Sequence, residues 1–266
     1  VMDWVEGRNL DTYILDLMRD KGKKKKERIA MLDLILKRIM SLSKYLAEQG
    51  VEHGDLSPGN IIVSNRGGVV TLNIIDFDSI YREDLKKCKP STAGHPDWQH
   101  PLHVSGSSSL YGKGSDAMAI VLYGLSMEAI KEDPAMYEEV GGSSGADGSG
   151  LILKKSDLLN PEVSNIVRRL EKKGGKTGKW VDLLKKCLRD IKYIQSGDIW
   201  EEIHNIDVNE VDEKEVTLVS YNKGRKSSKR PLSRKKLEIS SIDEIRDFMS
   251  KGMDQRVLAQ ATKKFE

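Results

Sequence analysis

Residues 27 to 76 pass through three patterns in close succession, and their order narrows the fold more than any bulk property of the chain. From Glu27 to Gln49, Ile29, Leu32, Ile35, Leu36, Ile39, Met40 and Leu46 recur at helical spacing, and Gly50 stands where such a helix would stop. A polar loop follows, His53-Gly54-Asp55-Leu56-Ser57-Pro58-Gly59-Asn60. Two apolar runs, Ile61 to Val63 and Val69 to Ile75, then flank a turn at Asn65 to Gly68, which is the pattern of a β-hairpin. Its second strand delivers Asp76, in the sequence Ile74-Ile75-Asp76-Phe77-Asp78.

The spacing of the polar residues suits phosphoryl transfer. Asp55 and Asn60 lie five residues apart in one loop, and Asp76 closes an apolar strand. One carboxylate can accept the proton of an attacking hydroxyl, while an Asn and a second carboxylate hold magnesium on nucleotide phosphates. In the competing reading Asp55 caps a turn and Asp76 ends a strand for solubility. The shared order of helix, loop and hairpin weighs against it.

The loop resembles the catalytic loop of protein kinases and the wider kinase-like phosphotransferases, and Asp76-Phe77-Asp78 resembles their metal-binding Asp-Phe-Gly element. Flanking segments extend the resemblance. Val1-Met2-Asp3-Trp4-Val5-Glu6-Gly7 looks like the hinge between kinase lobes, which implies Met2 as gatekeeper, the Asp3 carbonyl and Val5 amide on the adenine edge, and Ile62 as the floor beneath the ring. Gly94-His95-Pro96-Asp97-Trp98-Gln99-His100-Pro101-Leu102 is similar to the end of an activation segment. Ser115-Asp116, opening the apolar stretch Ala117 to Ile130, resembles the start of the buried central helix, where the Asp bonds back to the catalytic-loop backbone. Leu183 to Leu188 resembles a late helix of the same lobe. By this resemblance Asp55 is the catalytic residue, Asn60 and Asp76 bind Mg2+, ATP lies against the hinge, and His53 is a structural residue packed under the metal Asp.

The departures from the pattern restrict the mechanism. Gly54 replaces the Arg that reads a phosphate on the activation segment, so switching by phosphorylation there is not expected. Ser57 replaces a basic residue, as in RIO-type, aminoglycoside-type and other atypical kinases. Asp78 replaces a Gly, which should restrict flipping of that segment. His95 stands for a Thr that helps define Ser/Thr acceptor choice. Leu102 and Ile194 replace the two members of a Glu–Arg pair, lost together. The small lobe of a kinase carries a Gly-rich loop and a Lys–Glu pair. These are not found ahead of Val1, so the chain is expected to be a C-terminal lobe whose N-terminal lobe is missing, inactive as an isolated fragment. Gly174-Gly175-Lys176-Thr177-Gly178-Lys179-Trp180 does not meet the P-loop pattern, and Gly141 to Gly150 reads as a surface linker.

Composition sets outer bounds. Of 266 residues 32% are charged and 38% hydrophobic, enough for a core beneath a highly charged surface. No apolar run reaches the roughly 20 residues of a membrane span. Cys88 and Cys187 are the only cysteines, and two scattered thiols favour a reducing cytoplasm. A net charge of +3 does not by itself imply nucleic acid. Lys21 to Lys26 reads as a solvated loop between two helices, and His95, His100, His103 and Cys88 fit no common zinc spacing.

The expected organisation is a kinase-like domain over residues 1–204, mainly α with a small β-hairpin, then a basic linker over 205–236 and a short helical tail over 237–266. The expected activity is ATP-dependent, Mg2+-dependent phosphorylation, with a protein Ser/Thr acceptor ahead of a small molecule. A non-catalytic pseudokinase is the alternative from a different class.

Overall fold

A computed structural model describes residues 6–66, 69–82, 94–104, 114–140 and 151–206 of the chain. The chain divides into two units, and the description concerns the one spanning Gly7–Val216. It is mostly helical with small antiparallel sheets.

Strand β1 (Arg8–Asn9) and helix α1 (Leu10–Arg19) lead into α2 (Lys25–Glu48), which is the long periodic stretch. Leu32, Ile35, Leu36, Ile39 and Leu46 are buried, so the periodic face is the core face, and Leu42 extends it. The helix begins at Lys25 and not at Glu27 because the Glu27 carboxylate accepts the Lys24 amide (3.0 Å) and closes the first turn. Lys25 and Lys26 are therefore helical and not part of the expected loop, though the whole lysine run is exposed. Gly50 ends the segment with φ +69°, its amide on the Ala47 carbonyl (2.9 Å).

The hairpin consists of β3 (Ile61–Arg66) and β4 (Val69–Ile74), paired antiparallel from Ile61 opposite Ile74 to Arg66 opposite Val69. β1 adds to the other edge of β3, with Asn9 opposite Ile62. The strand ends at Ile74, one residue short of the expected end, and the Ile75 amide still donates to the carbonyl of Asn60, its in-register neighbour (2.9 Å). Two further short strands, β2 (Val51–Glu52) and β5 (Tyr81–Arg82), pair antiparallel and bracket the polar loop and Asp76 in sequence.

Helix α3 (Pro101–Val104) is short, and α4 (Ser115–Glu132) is the centre of the unit. Every residue from Asp116 to Ile130 is buried, in keeping with a sequence apolar except at Asp116, Ser126 and Glu128, the last of which pairs with Lys131 (2.6 Å). Around it follow α5 (Pro134–Val140), α6 (Lys155–Leu159), α7 (Asn165–Lys173), α8 (Gly175–Arg189), α9 (Ile191–Ser196) and α10 (Ile199–Ile206). Gly174 and Gly175 thus open a helix. Lys131 ties α4 to α2 through Asp33 (2.6 Å). Ile194 is buried and Leu102 is 42% exposed, so neither site of the missing Glu–Arg pair leaves a buried charge.

Gly124 is where α4 meets α8. A Cβ there would lie 2.4 Å from the Trp180 ring, which is fully buried and cannot retreat. Gly124→Ala is expected to lower thermal stability by about 1–3 kcal/mol, the usual cost of overpacking. An unchanged melting temperature would contradict this packing.

Among the described residues no helix is long and apolar enough to cross a membrane. Cys187 is a buried free thiol, pushed up to about 12 by burial. The expected hinge residues Met2, Asp3 and Val5, the stretch Gly141 to Gly150, Cys88, and the expected linker and tail lie outside the described residues. Asn205 and Ile206 are the exception, since they complete α10 past the boundary expected at 204.

Candidate active site

The polar loop is wound so that its own backbone and side chains set Asp55. Pro58 opens a single 3-10 turn ending at Asn60, and the Asn60 side chain reaches back over it. Its Nδ2 donates to the Asp55 carbonyl (2.9 Å) and to Asp55 Oδ2 (3.1 Å). The amide nitrogen being committed, Oδ1 is the atom of Asn60 that could meet a cation.

His53 joins the loop to the strand end. The Asp55 amide donates to His53 Nδ1 (3.3 Å), which makes Nδ1 the unprotonated nitrogen, and Nε2–H then donates to the Ile75 carbonyl (3.0 Å). The ring is fully buried and packs edge-on to Phe77, with centroids 4.8 Å apart. This is a structural position. Asp76, next to Ile75, is exposed and has φ +62°, the one positive φ outside glycine among the described residues. Such a conformation is sparsely populated and needs support from its surroundings. After it, Phe77–Ser79 forms a 3-10 turn, and Asp78 has no positive φ, so the Gly usual there is not required.

The loop hangs from α4 by a reciprocal pair of carboxylates. Asp116 Oδ2 accepts the His53 amide (2.6 Å) and Oδ1 accepts the Gly54 amide (2.9 Å). Glu52 points the other way: Oε1 accepts the Gly114 amide (2.5 Å) and Oε2 accepts the Asp116 amide (2.8 Å). Gly114 brings no side chain to cap α4, and Glu52 supplies the missing acceptor at a buried helix start. Two turns along α4, the Tyr123 hydroxyl donates to the Leu56 carbonyl (3.1 Å) while its ring packs on Trp98. Burial raises the Tyr123 phenol well above its ordinary range, so it remains a donor.

Burial also raises both carboxylates, Glu52 to about 8, and the neighbouring Asp116 charge adds to the rise at Glu52. A folded-state value raised above the ordinary 4.5 gives a contribution fully present below pH 4.5 and lost as pH climbs toward 8. Unfolding midpoints in urea are therefore expected to fall from pH 5 to pH 8 more steeply in the parent than in Glu52→Gln. Equal slopes would contradict a buried, titrating Glu52.

A second segment closes on the loop from the other side. The His95 amide donates to Asp55 Oδ1 (2.9 Å), and Gln99 Nε2 donates to the Gly54 carbonyl (2.9 Å). Gly54 itself has φ +80°, and a Cβ on it would lie 2.1 Å from the Ser79 carbonyl oxygen. There is no room for a side chain at this position.

Ile62 is buried in β3, and a Cβ on Gly7 would come within 2.5 Å of its side chain, so the backbone at Gly7 runs directly against it. Asn60 and Asp76 offer one amide oxygen and one carboxylate. Among the described residues no group of three or more His, Cys, Asp or Glu is placed to hold a metal ion. Two oxygen donors would leave most positions around a magnesium ion to water and phosphate. Glu52, Tyr123 and Gln99 were not singled out by sequence reasoning. The one signal available was the bare Gly114 before a largely apolar, buried helix, which calls for an external acceptor. No protein-family model matches this chain, and no curated protein matches it.

Proposed function

We propose that this chain forms the large lobe of a kinase-like phosphotransferase of atypical bacterial or archaeal type, transferring the γ-phosphate of ATP to a hydroxyl. The observation that carries the reading is one bonded series, Asn60 to Asp55 to His53 to Ile75, which gathers a carboxylate, an amide oxygen and the base of Asp76 onto a floor pinned by Asp116. Asp55 orients the acceptor hydroxyl and takes its proton as the new O–P bond forms and the bond to ADP breaks. Asn60 Oδ1 and Asp76 would hold magnesium, which would supply neutralisation of the phosphate charge. A Ser or Thr of a protein is the favoured acceptor, because an activation-segment-like stretch accompanies the central helix. A small molecule, as in aminoglycoside-type enzymes, is the other enzymatic choice.

One observation favours a non-catalytic nucleotide-binding module. Both Asp55 oxygens already accept hydrogen bonds, from His95 and Asn60. A carboxylate offers about four acceptor sites, so the hydroxyl still has a place.

Nucleotide titration with and without magnesium tests the site in the full-length protein. The parent should bind more tightly with magnesium, and Asp76→Asn should lose most of that difference, because a hard cation needs charged oxygen ligands. Equal magnesium dependence in both would remove Asp76 from the site.

A further inference from the structure

The peptide between Gly54 and Asp55 is held at both of its polar atoms. Its carbonyl accepts Gln99 Nε2 (2.9 Å), and its N–H donates to His53 Nδ1 (3.3 Å). His53 belongs to the loop. Gln99 comes from 45 residues further along the chain and is only 3% exposed. Burying an amide is costly unless it is paired, so this side chain is inside because of the bond it makes.

The bond falls where the loop is weakest. Gly54 sits at φ +80° without a side chain, and the Asp116 carboxylate grips only its N–H. Gly is the residue whose flanking peptides turn most freely. Without a donor on the Gly54 carbonyl, that peptide plane could rotate and carry the Asp55 Cα and carboxylate with it. The same segment gives a second grip, since the His95 N–H holds Asp55 Oδ1 (2.9 Å). Gly94 makes this approach feasible. It has φ +72°, and a Cβ on it would lie 2.9 Å from Asp55 Oδ1 and 2.7 Å from Gln99 Nε2.

We infer that Gln99 is a positioning residue: its amide fixes the Gly54–Asp55 peptide plane, and with the Gly94–His95 turn it sets the direction in which the Asp55 carboxylate meets the acceptor. The geometric part stands on the hydrogen bonds alone; the catalytic consequence rests on the phosphotransferase reading. A Glu at 99 would place an oxygen against the carbonyl, and a Leu would fill the space with no donor.

The test uses Gln99→Leu in the full-length protein, with Gln99→Asn, one methylene shorter, as the variant if Leu prevents folding. Two readouts separate the geometry from the chemistry. Amide hydrogen exchange at Asp55 and His95 should rise roughly tenfold, as expected for loss of one buried hydrogen bond, while the His53 amide held by Asp116 stays protected. Turnover should fall by about 100-fold at unchanged nucleotide KM, the effect of a carboxylate displaced by about 1 Å. Unchanged exchange at Asp55 and His95 overturns the positioning role. Faster exchange with undiminished kcat overturns its importance for catalysis. If the parent transfers no phosphate, the proposed function fails, and the exchange data alone decide whether Gln99 holds the loop.

Discussion

Asp55→Asn is expected to lower kcat by roughly 10²–10⁴-fold, the range that general-base catalysis contributes, while nucleotide affinity changes little. The substitution is close to isosteric. Its Oδ1 still accepts the His95 amide, and the Asn60 side chain still holds the residue-55 carbonyl. One bond changes: an amide nitrogen now faces Asn60 Nδ2 where a carboxylate oxygen accepted it. The groups proposed to face the metal are retained, and the group proposed to take the acceptor proton is lost. The measurement is kcat beside nucleotide binding in the full-length protein. A variant with full turnover would show that Asp55 is not the base.

Asp116→Ala should produce the largest loss of stability. The carboxylate satisfies two buried backbone donors, at His53 and Gly54, and nothing else is positioned to replace it. Each donor left unpaired costs about 1–3 kcal/mol, so the expected loss is about 2–6 kcal/mol. Part of this is offset because removing one buried negative charge relieves Glu52, whose rise toward 8 owes something to Asp116. Asp116→Asn keeps one acceptor and should lie between parent and Ala. Urea unfolding of the three proteins checks the order, and a melt identical to the parent would mean that the loop does not depend on α4.

The elements that sequence reveals here are those whose cause is local. Period 3.6 marks α2, two apolar runs around a turn mark the hairpin, and a stretch apolar except at Ser126 and Glu128 marks α4 as buried on every side. Asp116 could be assigned to the loop backbone only through the resemblance of Ser115-Asp116 and the stretch after it to the central helix of the kinase lobe. Glu52 and Gln99 were not legible, since each bonds to backbone groups 45 to 64 residues away, and backbone donors have no sequence signature. The left-handed backbone of Asp76 was hidden for a similar reason: Asp tolerates it, but nothing in Ile-Asp-Phe announces it. β1 and β5 have two residues each and exist only through pairing, β1 with the six-residue β3 and β5 with the equally short β2. The start of α2 was misplaced by two residues because Glu27 was read as the first helical residue, whereas it caps from the first turn.

Transfer of labelled γ-phosphate from ATP by the full-length protein tests the assignment of this loop most directly, with parent and Asp55→Asn run side by side on protein and aminoglycoside acceptors. The expected result is magnesium-dependent label on Ser or Thr hydroxyls with the parent and almost none with Asp55→Asn. Magnesium-dependent nucleotide binding with no transfer to any acceptor, indistinguishable between the two proteins, would contradict it and leave a binding module in place of an enzyme.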